Sequence, residues 1–377
     1  METAVRERIK SLDGLRGVAA FFVLVDHLMP KTNAFTQWFS WGRIGVDIFF
    51  VLSGYLIVNI LLDGRSAIEK GSPIGVVWRD FFARRALRIF PLYFGLLVVA
   101  YLASNDLSDS TLPWHITFTS NIGASLFSID FGTFEHFWSL CVEEQFYLVI
   151  PLVVLFLGHE RSFHMLAAFL AFSIALKVSI AAIPGHNPYV LARLTPINIE
   201  CLSYGALISY ATRIDVAKRV LDKAVKWLTP IALIMLLSMG AWPWIMPDKS
   251  MRDSVQQATQ DLIIACTFGP VVAAAAGKKL WTFARTMLEL HPLQFAGRIS
   301  YGTYAIHFPL IPVFVIALPY LGFTHRTYQG FAVEVMLIYL IATLSWYGFE
   351  RPIMRLRGKS ERAMAMDGPM VKVSSEG

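Results

Sequence analysis

Ionisable side chains inside apolar stretches are the first chemical signal in this sequence. The stretch "LDGLRGVAAFFVLVDHLMP", which begins at Leu12, reads as a membrane helix, yet it contains Arg16, Asp26 and His27. Arg16 and His27 are eleven residues apart, which places them on one helix face about 16 Å apart along the axis. Charged groups are costly in a membrane and usually face a partner or a cavity. A snorkelling anchor explains Arg16 alone, whereas the adjacent Asp-His pair favours a functional site.

A second group of polar side chains lies in the segment "FWSLCVEEQFYLVIP". Ser139, Glu143 and Tyr147 recur every four residues and therefore share one helix face, whereas Glu144 points about 100° away. If this span enters the membrane from outside, Glu143 lies at a depth similar to that of His27. We therefore expect the Glu143 carboxylate to pair with the His27 imidazole.

Other ionisable residues in apolar segments favour structural pairing. Asp47, in "GRIGVDIFFVLSGYLIV", is placed in the outer half of its span. There it either supports His27 or pairs with a membrane arginine or histidine for stability alone. Arg43 and Lys177 compete with His27 for Glu143, and His307, surrounded by aromatic residues, is expected to be structural. The remaining charges expected to form structural pairs are Lys177, Glu200, Asp261 and Glu334.

Three arginines lie at the start of another apolar segment, "FFARRALRIFPLYF". Arg85 and Arg88 share a helix face, and Arg84 is beside them. Anchoring at the inner membrane surface explains any single arginine. Together the three would form a phosphate clamp, because the planar guanidinium fork matches phosphate geometry.

Composition places these residues in an integral membrane protein. The 377 residues are 55% hydrophobic and only 16% charged, against about 25% charged in an average soluble protein. Its three cysteines have neither disulfide-framework nor metal-ligand spacing, so no metal site is expected. Ten apolar segments are candidate spans, although two of them, 89–103 and 197–212, are shorter than the usual span. They are 14–30, 44–62, 89–103, 137–157, 163–183, 197–212, 227–246, 258–276, 299–320 and 330–350.

The distribution of positive charge predicts the topology. If the N-terminus is cytoplasmic, most of the 33 lysine and arginine residues fall in the inside segments. We therefore predict an all-α, polytopic membrane protein with about ten transmembrane helices and both termini in the cytoplasm. The formal net charge of +6 then reflects the membrane topology, and no nucleic-acid partner is expected.

Six segments together resemble the acyltransferase-3 family of integral membrane acyltransferases. In chain order they are "LDGLRG" followed by His27, "GVDIFFVLSGYLI", "RRALRIFP", "FWSLCVEEQFYL", "ISYGTYAIH" and "FERP". They extend from residue 12 to residue 352. The resemblance implies a membrane acyltransferase domain over residues 1–352, followed by a short cytoplasmic tail, residues 353–377, that we expect to be disordered.

The resemblance also implies roles for individual residues. Arg16 and His27 fit the family's arginine–ten residues–histidine pattern, with His27 as catalytic base. Arg85 and Arg88 fit an element implicated in binding the phosphates of coenzyme A, and we group Arg84 with them. Ser139 and Glu143 fit the S-x-x-x-E element, with Glu143 catalytic. Supporting roles then fall to Arg16, Asp26, Asp47, Ser139 and Tyr147. Asn198 departs from the pattern, because relatives often carry arginine there.

The implied reaction moves an acyl group, acetyl in most members, from cytoplasmic acetyl-CoA to a hydroxyl of a sugar or glycolipid acceptor at the membrane. Neutral His27 would take the hydroxyl proton, and Glu143, Asp26 or Asp47 would orient the imidazole. The resemblance places the protein in a bacterial inner membrane. The alternative is a proton-coupled transporter, because intramembrane histidine and glutamate residues also form proton relays. Lipopolysaccharide or O-antigen sugars, exopolysaccharide and small glycosides all stay open as acceptors.

Overall fold

The structure, a computed structural model, describes residues 9–32, 34–103, 107–183, 185–213, 215–277 and 280–356. Within these ranges every regular element is helical, which confirms the predicted all-α class. The α-helices are α1 (Lys10–Leu28), α2 (Ala34–Trp38), α3 (Trp41–Glu69), α4 (Ile74–Ala103), α5 (Leu112–Ile116), α6 (Ser120–Phe127), α7 (Trp138–Phe156), α8 (His159–Ala181), α9 (Pro188–Arg193), α10 (Thr195–Ala211), α11 (Asp215–Ser238), α12 (Trp242–Ile245), α13 (Lys249–Ala276), α14 (Thr282–Leu288), α15 (His291–Arg298), α16 (Ser300–His307), α17 (Ile311–Ala317) and α18 (Tyr328–Ser345). Short 3₁₀ helices cover Gly132–Phe137, Met239–Ala241 and Leu318–Leu321, and a π-helical turn covers Trp346–Glu350.

Among the described residues, six helices are long and apolar enough to cross a membrane, and one bent helix pair brings the number to seven. The six are Trp41–Glu69, Ile74–Leu102, Gly132–Phe156, His159–Ala181, Lys249–Ala276 and Tyr328–Leu356. The bent pair joins Ser300–His307 to Ile311–Leu321 at an angle of 65°. The predicted multi-pass membrane fold is confirmed, but the predicted number of ten spans is not.

The three other predicted spans, 14–30, 197–212 and 227–246, are not among these helices for physical reasons. α1 carries Lys10, Asp13, Arg16 and Asp26 within 19 residues, and α10 has only 17 residues. In the third region the apolar part is the short stretch Thr229–Ile245.

The ends of the chain limit what can be compared with the predicted topology. The last helical stretch continues to Leu356, four residues into the tail predicted from residue 353. Residues 1–8 and 357–377, on which the predicted cytoplasmic termini and the rest of the tail depend, lie outside the described residues.

α3 is the central helix of the bundle. It packs against α1, α4, α7, α10 and α13, and 78% of its most apolar 18-residue window is buried. The corresponding share is 17% for α8, whose apolar side chains face outward as lipid-contacting residues do. α3 therefore carries the polar residues Arg43, Asp47 and Ser53 into the interior of the protein.

Two glycines allow α3 and α10 to pack at close range. A Cβ atom added to Gly54 would collide with the main-chain carbonyl of Leu202, and one added to Gly205 would collide with that of Val51. Small residues at such crossings let membrane helices approach each other backbone to backbone. This crossing fixes the position of α3 relative to α10.

A proline explains the bend between α16 and α17. Pro309 has no N–H to donate to the carbonyl of Ala305, so the helix loses a hydrogen bond at this turn and bends. The Ala305 carbonyl instead lies 3.4 Å from Nε2 of His136. His307 is the last residue of α16 and therefore lies at the break.

Candidate active site

The first of two cavities inside the bundle, here called the arginine cavity, lies between α1, α3, α4, α7 and α16. It is narrow, with a volume of about 80 Å³. Its polar lining consists of Arg16, Ser53, Arg85, Arg88, Ser139, Glu143, Tyr147, Ser300, Tyr301 and Tyr304. The two arginine motifs predicted from α1 and α4 therefore meet at one cavity.

The arginine cavity carries excess positive charge. Arg16, Arg85 and Arg88 face a single lining carboxylate, Glu143, which accepts a hydrogen bond from Ser53 Oγ at 2.6 Å. None of the three arginines forms an ion pair in the described part of the chain, and Nε of Arg85 is buried without a hydrogen-bond partner. Buried charge without a partner is costly, so this arrangement suits an anionic ligand.

Arg84 does not belong to this cavity, which corrects the predicted cluster of three neighbouring arginines. Its side chain is 45% exposed, and its guanidinium group pairs with Asp80 one turn earlier on α4. Adjacent helical residues point about 100° apart, so α4 cannot direct Arg84 and Arg85 to the same side. The third arginine of the cavity is Arg16, supplied by α1.

The predicted shared face of Ser139, Glu143 and Tyr147 is confirmed, because all three side chains line the arginine cavity. The predicted pairing of Glu143 with His27 is wrong. Glu143 bonds to Ser53, and His27 lies in a different cavity. The reason is depth along α7. His136, just before that helix, lies beside His307, the histidine that is hydrogen-bonded to His27. Glu143 is seven residues further on, or about 10 Å along a helix.

The second cavity, here called the histidine cavity, is wider, with a volume of about 370 Å³. His27 and Asp26 from the end of α1 contribute to its wall, as do the aromatic rings of Trp138 and Phe308. Its other charged or polar lining side chains are Arg43, Glu135, His136, Arg193 and Tyr304. Aromatic faces combined with a few polar groups are typical of sites that bind small polar molecules.

His27 is hydrogen-bonded to another histidine. Its Nδ1 lies 3.0 Å from Nε2 of His307, and the two rings are stacked with centroids 5.1 Å apart. His307, which we expected to be structural, is therefore bonded to the histidine predicted as the catalytic base. Asp26, which we expected to orient His27, pairs instead with Lys31 at 2.8 Å.

Asp47 likewise does not contact His27, and the alternative of structural pairing holds for it. Its carboxylate lies 3.2 Å from Nε of Arg43 on the preceding turn of α3. Arg43 also pairs with Asp261, and Asp261 pairs with Lys177. Lys177 donates to Glu200 at 2.6 Å, which completes a buried charge network. Arg43 also lines the histidine cavity, whereas the other members of the network line neither cavity. The predicted structural pairing of these charges is confirmed.

The residue that departs from the family pattern also joins this network. Asn198 Oδ1 accepts a hydrogen bond from Arg43 at 2.6 Å. An uncharged amide there satisfies Arg43 without adding a second positive charge.

The two cavities meet at Tyr304 and Val46, which line both of them. The Tyr304 hydroxyl lies 2.5 Å from Ser139 Oγ and donates to the main-chain carbonyl of His136 at 2.8 Å. Tyr304 thus stands between the arginines on one side and His27 on the other. Apart from Arg84 and Asp47, which line neither cavity, the predicted site residues divide into two groups that this tyrosine separates.

Sequence reasoning missed three of the residues that build this site. His136 precedes the segment singled out on α7, and Tyr304 and His307 lie in the segment "ISYGTYAIH". The available signal was the spacing of Tyr304 and His307, three residues apart and hence on one helix face, in a span that brings a histidine to the membrane interior.

Comparison with known proteins gives a family match over nearly the whole chain. The family model described as an acyltransferase domain, acyltransferase-3, matches residues 9–351. The O-acetyltransferase OatA of Staphylococcus aureus is 29% identical over 381 residues, which cover 95% of this chain and 58% of the relative. The peptidoglycan O-acetyltransferase OatA of Listeria monocytogenes is 26% identical over 371 residues, covering 92% and 56%. The chain thus spans a little over half the length of these relatives. No solved structure gives a significant match.

Proposed function

The chain belongs to the acyltransferase-3 family, and on that basis we propose that it is a membrane O-acetyltransferase using acetyl-CoA as donor and a carbohydrate hydroxyl as acceptor. The observation that carries this proposal is the junction of the two cavities. One is rich in arginine and the other contains His27, and they meet at Tyr304. A group transfer between an anionic donor and a sugar needs both environments in contact.

The arginine cavity is the proposed donor site. Arg16, Arg85 and Arg88 supply the planar cationic groups that phosphate oxygens prefer, and buried Nε of Arg85 still has a proton to donate. Phosphates held there would leave the flexible pantetheine arm to run along the narrow cavity. The acetyl thioester would then reach the level of Tyr304. Entry of the donor from the cytoplasm is what the family resemblance implies.

The histidine cavity is the proposed acceptor site, with His27 as the general base. The acceptor hydroxyl oxygen attacks the thioester carbonyl carbon while its proton passes to the imidazole. The carbon–sulfur bond then breaks, the acetyl ester forms, and coenzyme A leaves as a thiolate that takes up a proton. Histidine suits this step because it is neutral and basic near physiological pH.

The lining of the histidine cavity supports a carbohydrate acceptor. Trp138 and Phe308 offer flat apolar faces, and the ion pair of Glu135 and Arg193 in the wall offers charged groups for hydroxyls. One relative is named for acetylating peptidoglycan, which is a carbohydrate polymer. We therefore place the acceptor among cell-surface glycans.

Labelled acetyl-CoA tests this function directly. Membranes containing the chain would be supplied with acetyl-CoA labelled in the acetyl group, and surface glycans would be analysed by mass spectrometry. We expect labelled O-acetyl esters with the wild-type chain and none with His27→Ala at matched expression. Unlabelled glycans and unconsumed acetyl-CoA in the wild-type sample would contradict the proposal and favour a transporter.

A further inference from the structure

The hydrogen bonds around His307 fix where its proton lies. Nδ1 of His307 is 2.6 Å from the main-chain carbonyl oxygen of Tyr304. A carbonyl oxygen only accepts hydrogen bonds, so Nδ1 must carry a proton. In the neutral ring the other nitrogen, Nε2, is then an acceptor.

The same logic then determines the state of His27. Nε2 of His307 lies 3.0 Å from Nδ1 of His27, so Nδ1 of His27 must be the donor. A neutral His27 consequently has its lone pair on Nε2. That nitrogen makes no hydrogen bond within the described part of the chain, and His27 lines the histidine cavity. The free lone pair is the one that a base needs.

Within the described ranges no carboxylate is hydrogen-bonded to His27, and Glu135, which lines the same cavity, pairs with Arg193. Asp26 is paired with Lys31, Asp47 with Arg43, and Glu143 is bonded to Ser53 in the other cavity. In hydrolases with a catalytic triad, an aspartate holds the base in the correct tautomer. Here a second imidazole occupies the corresponding position.

We infer that His307 is a positioning residue that holds His27 in the Nδ1–H tautomer and directs its basic Nε2 toward the acceptor. The hydrogen bond between the two rings is kept in both protonation states of His27, and neither ring has to rotate. When His27 takes a proton on Nε2, its Nδ1 still donates to the same lone pair of His307. The Tyr304 carbonyl, near the end of α16, therefore determines through His307 which nitrogen of His27 carries the proton. This inference rests on the proposed function, because it assigns a support for the proposed base.

Two substitutions separate positioning from packing. His307→Phe keeps a ring of similar size but removes the acceptor, whereas His307→Gln keeps an oxygen that can accept from Nδ1 of His27. We expect His307→Phe to lower kcat about 100-fold or more, with the acetyl-CoA KM changed by less than about twofold. The kcat of His307→Gln should be at least about tenfold higher than that of His307→Phe. Equal loss in both variants, or wild-type turnover in His307→Phe, would overturn the inference.

Nitrogen-15 NMR of histidine-labelled protein in lipid nanodiscs supplies a measurement that needs no turnover. The signals of His27 are those that disappear in His27→Gln. We expect the wild-type chain to show a protonated Nδ1 and an unprotonated Nε2 for His27 at neutral pH. A protonated Nε2 with a free Nδ1 would refute the assignment even if transfer is normal. An inactive wild-type chain would instead contradict the proposed function, and the tautomer would still be measured.

Discussion

Ser53 donates a hydrogen bond to the Glu143 carboxylate at 2.6 Å inside the arginine cavity. This contact ties Glu143 to the proposed donor site rather than to His27. Glu143 is the only carboxylate facing Arg16, Arg85 and Arg88 in that lining. It separates three like charges and therefore helps to shape the site.

Loss of the Glu143 charge should impair use of the donor. In Glu143→Gln the three guanidinium groups repel each other without a carboxylate among them, so we expect kcat/KM for acetyl-CoA to fall about tenfold or more. Ser53→Ala should have a smaller effect of the same kind. The double variant should cost less than the sum of both free-energy changes, because partners in one hydrogen bond are coupled. Steady-state kinetics decides this, with Glu144→Gln as control, since Glu144 does not line the cavity. If the free-energy changes of Glu143→Gln and Ser53→Ala were strictly additive in the double variant, the two residues would not be coupled.

The neighbouring positions on α4 offer a matched comparison. Arg85→Ala and Arg88→Ala should each raise the acetyl-CoA KM by about tenfold or more with little change in kcat, because each removes a charged hydrogen bond to a phosphate. Arg84→Ala should leave KM within about twofold, since Arg84 pairs with Asp80 outside the cavity. If all three variants raised KM equally, a general surface-charge effect would replace the proposed phosphate contacts.

The close crossing of α3 and α10 predicts a stability effect at Gly205. A methyl group there would meet the carbonyl of Val51, so we expect Gly205→Ala to destabilise the protein by about 1–3 kcal/mol. Gly75→Ala is the control, because nothing lies within 4 Å of the position of its added Cβ. Thermal unfolding in detergent compares the two. A Gly205→Ala variant as stable as Gly75→Ala would show that the helices do not pack this closely.

His115, in the short helix α5 outside the membrane spans, predicts a pH effect on stability. Its ring is buried against Phe131, Phe134 and Phe137, with neither nitrogen bonded. Burial lowers the pKa of His115 to about 4, below its ordinary value of 6.5. The unfolded chain then binds the proton more readily, so this residue destabilises the fold as pH falls from about 6.5 toward about 4. His115→Leu should reduce the drop in Tm between pH 7 and pH 5. An unchanged drop would mean that His115 is not buried as neutral imidazole.

Local regularity explains which features the sequence could predict. Ser139, Glu143 and Tyr147 share a face because helix geometry alone places them there, and the same holds for Arg85 and Arg88. The partners of these residues depend on how helices pack against each other. Spacing along α7 could not reveal that Glu143 meets Ser53 of α3. Nor could it reveal that Pro309 bends a helix so that His307 reaches His27.

The predicted number of ten spans is not confirmed, for a related reason. Hydropathy treats each apolar segment as independent, yet α1 and α10 are surrounded by protein, with Leu24 and Leu202 fully buried. Helices of this kind tolerate charge and short length because their neighbours, rather than lipid, surround them.

Binding and turnover of acetyl-CoA by His27→Ala separate the roles of the two cavities. In the proposed mechanism the donor occupies the arginine cavity and the base lies in the histidine cavity, with Tyr304 between them. Purified His27→Ala in nanodiscs should therefore bind acetyl-CoA with a Kd within about twofold of the wild type, yet transfer none of its label to glycan, because only the base is lost. Transfer by His27→Ala at the wild-type rate, or loss of donor binding in this variant, would contradict the account.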